Sequence, residues 1–316
     1  MLSFLRKKIK KMSVTRRDFV KTLAIGSAVA LSGVPLWLNA EESEKLTILH
    51  TNDTHSRLDP FPPTDHRYPS MGGYARRATI IERIRQQEKH LLVLDAGDIF
   101  QGTPYFNFFG GKPEIELMSK MGYDASTMGN HEFDNGLDGF LNVLNYTKFP
   151  FIVSNYDFSD TILRDHEKII THKIFYKGNI KVGVYGLGIE PEGLVSKNLY
   201  GNTKYLDPIS SAIKMENLLK DEFKCDLIIC LSHLGYFHET GKVSDVVIAE
   251  NTRHTDIILG GHTHTILEKP DQKLNLEKRS VHIGQTGIHG IRIGRIDVWF
   301  DKKNDEKFVE SYTIKV

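Results

Sequence analysis

Residues 46–55 read LTILHTNDTH, and the way this stretch ends decides how the rest of the chain is read. Its first six residues are mostly the apolar and β-branched kind that a buried strand selects. The strand signal then gives way to Asp53 and His55, side chains that gain nothing from a packed sheet. The same ending recurs along the chain. LLVLDAG from Leu91 runs out at Asp98, DASTMG from Asp124 at Asn130 and His131, CDLIICLS from Cys225 at His233, and TDIILGG from Thr255 at His262 and His264. Further strand runs begin at Phe151 (FIVSN) and Ile180 (IKVGVYGLG). Apolar residues at helical spacing fill intervals between them, in ARRATIIERIRQQEK, in EIELMSKMG behind Pro113, and in PISSAIKMENLLKDEF behind Asp207. Alternating strands and helices make an α/β protein. SVHIGQTG, GIRIGRIDVWF and KFVESYTIKV, read as antiparallel strands, close it with β structure.

In open α/β sheets, ligand sites form beyond the carboxyl ends of the strands, which is where these polar residues fall. Side chains alternate along extended chain. Asp53 and His55 are therefore expected on one side, as are His262 and His264, whereas the neighbours Asn130 and His131 are expected to diverge. In MGNHEFDNG (128–136) that divides the work, one residue facing a metal and the other a substrate. A single histidine at a strand end is ordinarily a core or surface residue, but five with two aspartates and an asparagine make a site. His50, His66, His90, His166, His172, His238, His254 and His282 show no such placement; His289, in a glycine-rich turn, stands out slightly. Imidazole, carboxylate and amide without thiolate suit Mn, Zn, Fe or Co better than calcium. The donors are too many for one tetrahedral ion with an open position, and two ions sharing a carboxylate fit the number.

The pieces D-x-H at Asp53, G-D at Gly97, G-N-H-E at Gly129, a lone His233 and G-H-x-H at Gly261 resemble, in order and spacing, the calcineurin-like metallophosphoesterases. LTILHTNDTHSRL, GDIFQGTP and YDASTMGNHEFD are similar to the 5′-nucleotidase and UDP-sugar hydrolase branch, and the likeness covers residues 45–300. The resemblance implies a four-layer α/β/β/α sandwich of metallophosphatase type around two divalent ions. Asp53, His55 and His264 would hold one ion, Asn130, His233 and His262 the other, and Asp98 would bridge. It implies hydrolysis of a small phosphate ester, nucleotide or nucleotide-like, by hydroxide formed at the two ions, with His131 as general acid and Asp134 orienting it. Glu132 reads as structural and Phe133 as packing. Nucleotidases of this branch continue into a second domain with an aromatic clamp for the base and arginines for the phosphate. No residue here is assigned to that clamp, and Arg57 and the loop 99–104 read as a solvated arginine and a structural turn. Two readings stay open, a stand-alone phosphatase with an open site, or a catalytic subunit whose partner is a separately encoded C-terminal nucleotidase domain supplying specificity. A hydrolase of another anion, such as a thiosulfohydrolase, and a non-catalytic metal-binding module are the other readings; the His131 and Asp134 pair speaks against the last.

Residues 1–40 carry eight basic side chains against one acid, Asp18, followed by an apolar run broken by Gly26, Gly33 and Pro35. That is an export signal in outline. The run is shorter and more interrupted than the roughly 20 apolar residues of a bilayer span, so no stable membrane anchor is expected. TRRDFVK (15–21) resembles a twin-arginine signal, which implies a periplasmic protein with a catalytic domain over residues 41–316. The whole chain has 41 basic and 40 acidic residues; without residues 1–40 these become 33 and 39, a net charge of −6. Such a balance is a poor match for a nucleic acid polymer, which favours basic surfaces. Cys225 and Cys230, five apart on a strand, would be held about 16 Å apart, whereas a disulfide needs less than about 7 Å. They read as buried thiols.

Overall fold

The computed structural model describes residues 43–301 and 306–316; residues 1–40, expected from the sequence to be an export signal, lie outside them. One sheet holds β1 (Ser43–Thr51), β2 (Leu91–Asp95), β3 (Ala125–Ser126), β4 (Phe151–Ile152), β6 (Ile169–Ile170), β14 (Arg292–Asp301) and β15 (Glu306–Lys315), in the order β15-β14-β1-β2-β3-β4-β6. The other holds β7 (His172–Lys177), β8 (Ile180–Leu187), β10 (Leu227–Ser232), β11 (Ile257–Leu259), β12 (Asp271–Leu274) and β13 (Ser280–Gly284), in the order β12-β13-β11-β10-β8-β7. A short ribbon pairs β5 (Tyr156–Asp157) with β9 (Lys204–Tyr205). The helices are α1 (Tyr74–Gln87), α2 (Pro104–Phe109), α3 (Lys112–Met121), α4 (Gly136–Leu144), α5 (Lys197–Tyr200), α6 (Pro208–Asn217) and α7 (Asp245–Asn251). Among the described residues no helix is long and apolar enough to cross a membrane.

The period of two along the strands builds the layers. Leu227, Ile229 and Leu231 of β10 face inward and pack with Leu46, Ile48, Leu92 and Leu94 of the first sheet, all buried. The alternate residues Ile228 and Cys230 face outward against Ala212 and Met215 of α6 and Ile248 of α7. On the opposite outer face, Leu49 and Val93 pack with Ile81 of α1 and Ile115 and Met118 of α3. Helix, sheet, sheet, helix is the expected four-layer sandwich. Residue types set the helix ends: Asp207 accepts the Ser210 N–H at 2.7 Å ahead of Pro208, a side-chain cap with proline in the first turn. Cys225 and Cys230 are free and buried, as expected.

The tail differs from its reading in one respect. β14 and β15 are antiparallel, and β14 pairs antiparallel with β1. β13, however, lies in the other sheet, parallel to β11 and antiparallel only to β12. A strand signal reports which residues are extended; the partner is chosen by the intervening connection. β1 runs parallel to β2 and β10 parallel to β11, so both sheets present strand exits to the site.

Candidate metal centre

The exit loops of β1 and β2 are zipped together. The N–H groups of Asp53, His55 and Ser56 donate to the carbonyls of Gly97, Asp98 and Ile99 at 2.9, 3.1 and 2.8 Å. From the other sheet, the His262 N–H donates to the Asp53 carboxylate at 3.1 Å. The pairs do not converge by strand alternation, as the sequence suggested. Asp53, His55, Asp98, His262 and His264 all have left-handed backbone, with φ of 48°, 47°, 54°, 71° and 53°. Such conformations cost on the order of 1–3 kcal/mol each and persist only where the surroundings enforce them. Here the enforcement is the cross-loop bonding. Asn130 and His131 do reach different partners, but at the start of a 3₁₀ turn, His131–Phe133, not on extended chain.

Two donor groups result. Asp53 Oδ1 lies 3.3 Å from His264 Nε2, which lies 3.2 Å from His55 Nε2. In the second, Asp98 Oδ2 lies 3.0 Å from His233 Nε2, and His262 Nδ1 lies 3.0 Å from Asn130 Oδ1. The groups adjoin, since Asp53 Oδ1 is 3.8 Å from His233 Nε2. Asp53, His55 and His264 offer donor atoms within 4.8 Å of one another, and so do Asp98, His233 and His262, and His55, Asp98 and His131. Asp98 belongs to two of these sets.

The donors fit a cation. His233 Nδ1 is 2.6 Å from the Ala96 carbonyl, and only an N–H satisfies a carbonyl, so Nε2 is the ring nitrogen left to face the centre. That atom is buried and turned to the Asp98 carboxylate at 3.0 Å. His55 is set the same way, with Nδ1 3.2 Å from the Phe100 carbonyl. Outer partners of this kind fix ligating histidines in metal sites. Gly129 explains the second G of the motifs: a Cβ there would collide with Asp98 Oδ1 and stand 2.6 Å from His233 Nε2.

His131 stands at the edge of this centre, its ring centroid 5.1 Å from that of His55. Its backbone N–H donates to Asp98 Oδ1 at 2.9 Å, and its ring Nδ1 lies 2.7 Å from Asp134 Oδ2. Burial works against charge on this imidazole, but the Asp134 bond and the Asp98 carboxylate outweigh it and raise its pKa to about 9. All seven residues expected as ligands, and the His131 and Asp134 pair, thus lie in one place.

Sequence reasoning undervalued three residues. Glu132 is buried, and its carboxylate accepts the N–H groups of Asp98, Ile99 and Gly129 at 2.9, 2.8 and 2.6 Å, clamping the G-D loop to the G-N-H-E loop. The E of G-N-H-E was its signal. Asn52 holds Asp53 from behind, donating to Oδ2 at 2.5 Å while its own Oδ1 accepts the Thr286 N–H at 2.8 Å. His289, also left-handed with φ of 63°, donates its N–H to the Asp53 carbonyl at 2.6 Å and places its ring 5.8 Å from that of His55. Its glycine-rich turn was the only sign.

Comparison with known proteins points the same way. Residues 46–265 match the family model for calcineurin-like phosphoesterases. Snake venom 5′-nucleotidase of Gloydius brevicauda is 34% identical over 284 residues, spanning 84% of this chain and 47% of its own length. The 5′-nucleotidase of Rattus norvegicus is 32% identical over 297 residues, spanning 88% and 50%. Among solved structures, a 5′-nucleotidase precursor from Thermus thermophilus superposes with a TM-score of 0.77 at 30% identity, over 86% of this chain and 55% of that one. The chain spans about half the length of the curated relatives it matches. With two sheets back to back, helices on both outer faces and the matched segment enclosing every residue of the two donor groups, this chain belongs to the calcineurin-like phosphoesterase family.

Proposed function

We propose that this protein hydrolyses phosphate esters of nucleotide type in a metal-dependent reaction. The observation that carries this reading is the junction at Asp98, whose carboxylate borders both donor groups and accepts the His131 N–H. Asp53, His55 and His264 would hold one divalent ion and Asn130, His233 and His262 the other, with Asp98 serving both; Mn, Zn, Fe or Co suits these donors. Bound there, such a pair supplies charge for the phosphoryl oxygens and lowers the pKa of water toward neutrality. The remaining work falls to the chain. Asp134 accepts a hydrogen bond from the Nδ1–H of His131, so the proton available for transfer is on Nε2, and the same bond raises the pKa of this imidazole. Handing that proton to the departing oxygen is general acid catalysis, worth about 10²–10⁴ in rate.

The test is hydrolysis by purified residues 41–316 of AMP, a UDP-sugar, a cyclic nucleotide and bis(p-nitrophenyl) phosphate, before and after chelation and reloading with Mn or Zn. Turnover that disappears with chelator and returns with metal is expected; turnover indifferent to chelation, or absent with every ester, overturns the reading. Residues 1–40 as a twin-arginine-type signal that delivers the protein to the periplasm belong to the same proposal. Replacing Arg16 and Arg17 by lysine is expected to leave the protein in the cytoplasmic fraction.

A further inference from the structure

α1 and α3 pack together through Ile81, Ile115 and Met118, but the next layer outward is not filled. Ala75 and Ala78, three apart, share one face of α1 and are too short to reach across. With Leu58, Leu117 and Met121 they form the apolar floor of a cavity of about 490 Å³, within the size range of small-molecule sites. None of its lining residues belongs to the donor groups of the metal centre.

Two carboxylates stand at opposite ends of this floor. The Tyr74 N–H donates to the Leu58 carbonyl at 2.8 Å, which fixes the neighbouring Asp59 at the start of α1. Glu82 is eight residues beyond Tyr74 along the helix, a rise of about 12 Å. One oxygen of each is engaged, Asp59 Oδ2 by the Tyr105 hydroxyl at 2.8 Å and Glu82 Oε1 by the Gln86 amide at 2.9 Å. Asp59 Oδ1 and Glu82 Oε2 are left for a ligand. Among the described residues the lining holds one base, Lys120. The floor also reaches the metal loops, because the hydroxyl of buried Tyr74 lies 3.3 Å from that of Thr54, the residue between Asp53 and His55.

We propose that this cavity binds a linear aliphatic polyamine, with its methylene stem on the apolar floor and an ammonium at each carboxylate, and that occupancy is coupled to metal binding through the Tyr74–Thr54 contact. Spermidine has the required span, since nine single bonds in extended form separate its terminal nitrogens by about 11 Å. Such a chain buries its methylenes while its charged ends stay beside carboxylate and water. Two positive ends match two acids, as a dicarboxylate or a singly charged amine does not. The site takes no part in the chemistry proposed above, so its test needs no turnover.

Calorimetric titration of the metal-loaded protein with spermidine, 1,8-diaminooctane, putrescine and sebacate is the experiment. Spermidine and 1,8-diaminooctane, equal in span, are expected to bind alike. Putrescine, which spans only about 6 Å, and the dianion sebacate are expected to bind at least fivefold more weakly. Asp59→Asn and Glu82→Gln are each expected to weaken spermidine about fivefold, the upper range for an exposed ion pair, and Lys120→Ala to tighten it. Ala78→Trp fills the cavity and is expected to abolish binding; the two carboxylate variants change almost no volume, so the test stands even where Ala78→Trp does not fold. Absence of binding by both long amines, affinity that ignores span, or affinity that is unchanged in both carboxylate variants overturns the site, the last two marking a cation drawn adventitiously to an acidic protein. For the coupling, Mn is titrated with and without spermidine. Linkage requires that spermidine change Mn affinity by the same factor as Mn changes spermidine affinity. A change of about fivefold in the wild type that vanishes in Tyr74→Phe is expected, and equal Mn affinities in the wild type overturn the coupling.

Discussion

The interior between the sheets and the strand exits above it are built from the same strands by opposite rules. Between the sheets, side chains alternate inward and outward as extended backbone dictates, and Leu46, Ile48, Ile229 and Leu231 each share the work of burial with many neighbours. At the exits the backbone is left-handed at five of the seven expected ligands, and each is held by a few bonds that span the chain, such as the His262 N–H to Asp53 and the Thr286 N–H to Asn52. The difference teaches that stability and chemistry are separable here. One region tolerates replacement in proportion to volume lost, and the other depends on individual atoms.

The separation predicts distinct failures. The largest is expected for His131→Asn, which removes the proton donor but none of the proposed ligands: kcat falls by about 10²–10⁴, while metal content by atomic absorption and the melting temperature stay as in the wild type. Lost metal would break the comparison, because it would make His131 part of the ion-binding frame. Next is Ile229→Ala in the interior, expected to cost about 2–5 kcal/mol in urea unfolding with kcat per folded molecule unchanged.

Glu132→Gln probes the boundary between the regions. An amide keeps one acceptor oxygen where the carboxylate offers two to three N–H groups, and the loop carrying Asp98 loosens. Metal affinity is expected to drop roughly 10- to 100-fold, as for other residues that support ligands from behind, measured by competition with a chelating dye. Asp134→Asn is expected to lower kcat less than His131→Asn and to change its pH dependence. The bond to Asp134 raises the His131 pKa, so the alkaline limb of kcat moves to lower pH.

The smallest effect is expected at Asp245, buried with neither carboxylate oxygen hydrogen-bonded. Burial lifts its pKa from 3.8 to about 8. A folded-state pKa above the unfolded one means that the stabilisation is complete below about pH 4 and is lost as pH rises through 8. Asn has no such proton, so the melting temperature of Asp245→Asn is expected to gain on that of the wild type between pH 5 and 9. Equal slopes would show that Asp245 is solvated and remove it from the dry interior.

Much of this was legible in the residues. LTILHT, LLVLD and LIICLS announce strands because burial on a pleated surface selects β-branched and aliphatic side chains wherever it occurs. The ligands announced themselves because imidazoles and carboxylates at strand ends have no part in packing. Other features were hidden. SVHIG is as strand-like as its neighbours, yet its parallel pairing with β11 follows from where the chain returns, a long-range fact. Glu132 read only as structural and His289 stood out only slightly, because their partners, the Asp98 and Ile99 N–H groups and the Asp53 carbonyl, are more than thirty residues away.

By itself the sequence determined the α/β class, the apolar strands and the chemical identity of the donors, because each rests on local spacing and on the kind of atom a side chain carries. Only the tertiary structure decided how the donors converge. Left-handed backbone at Asp53, His55, Asp98, His262 and His264 is locally unfavourable, so no local pattern announces it; it is imposed by hydrogen bonds between loops that only the folded chain brings together.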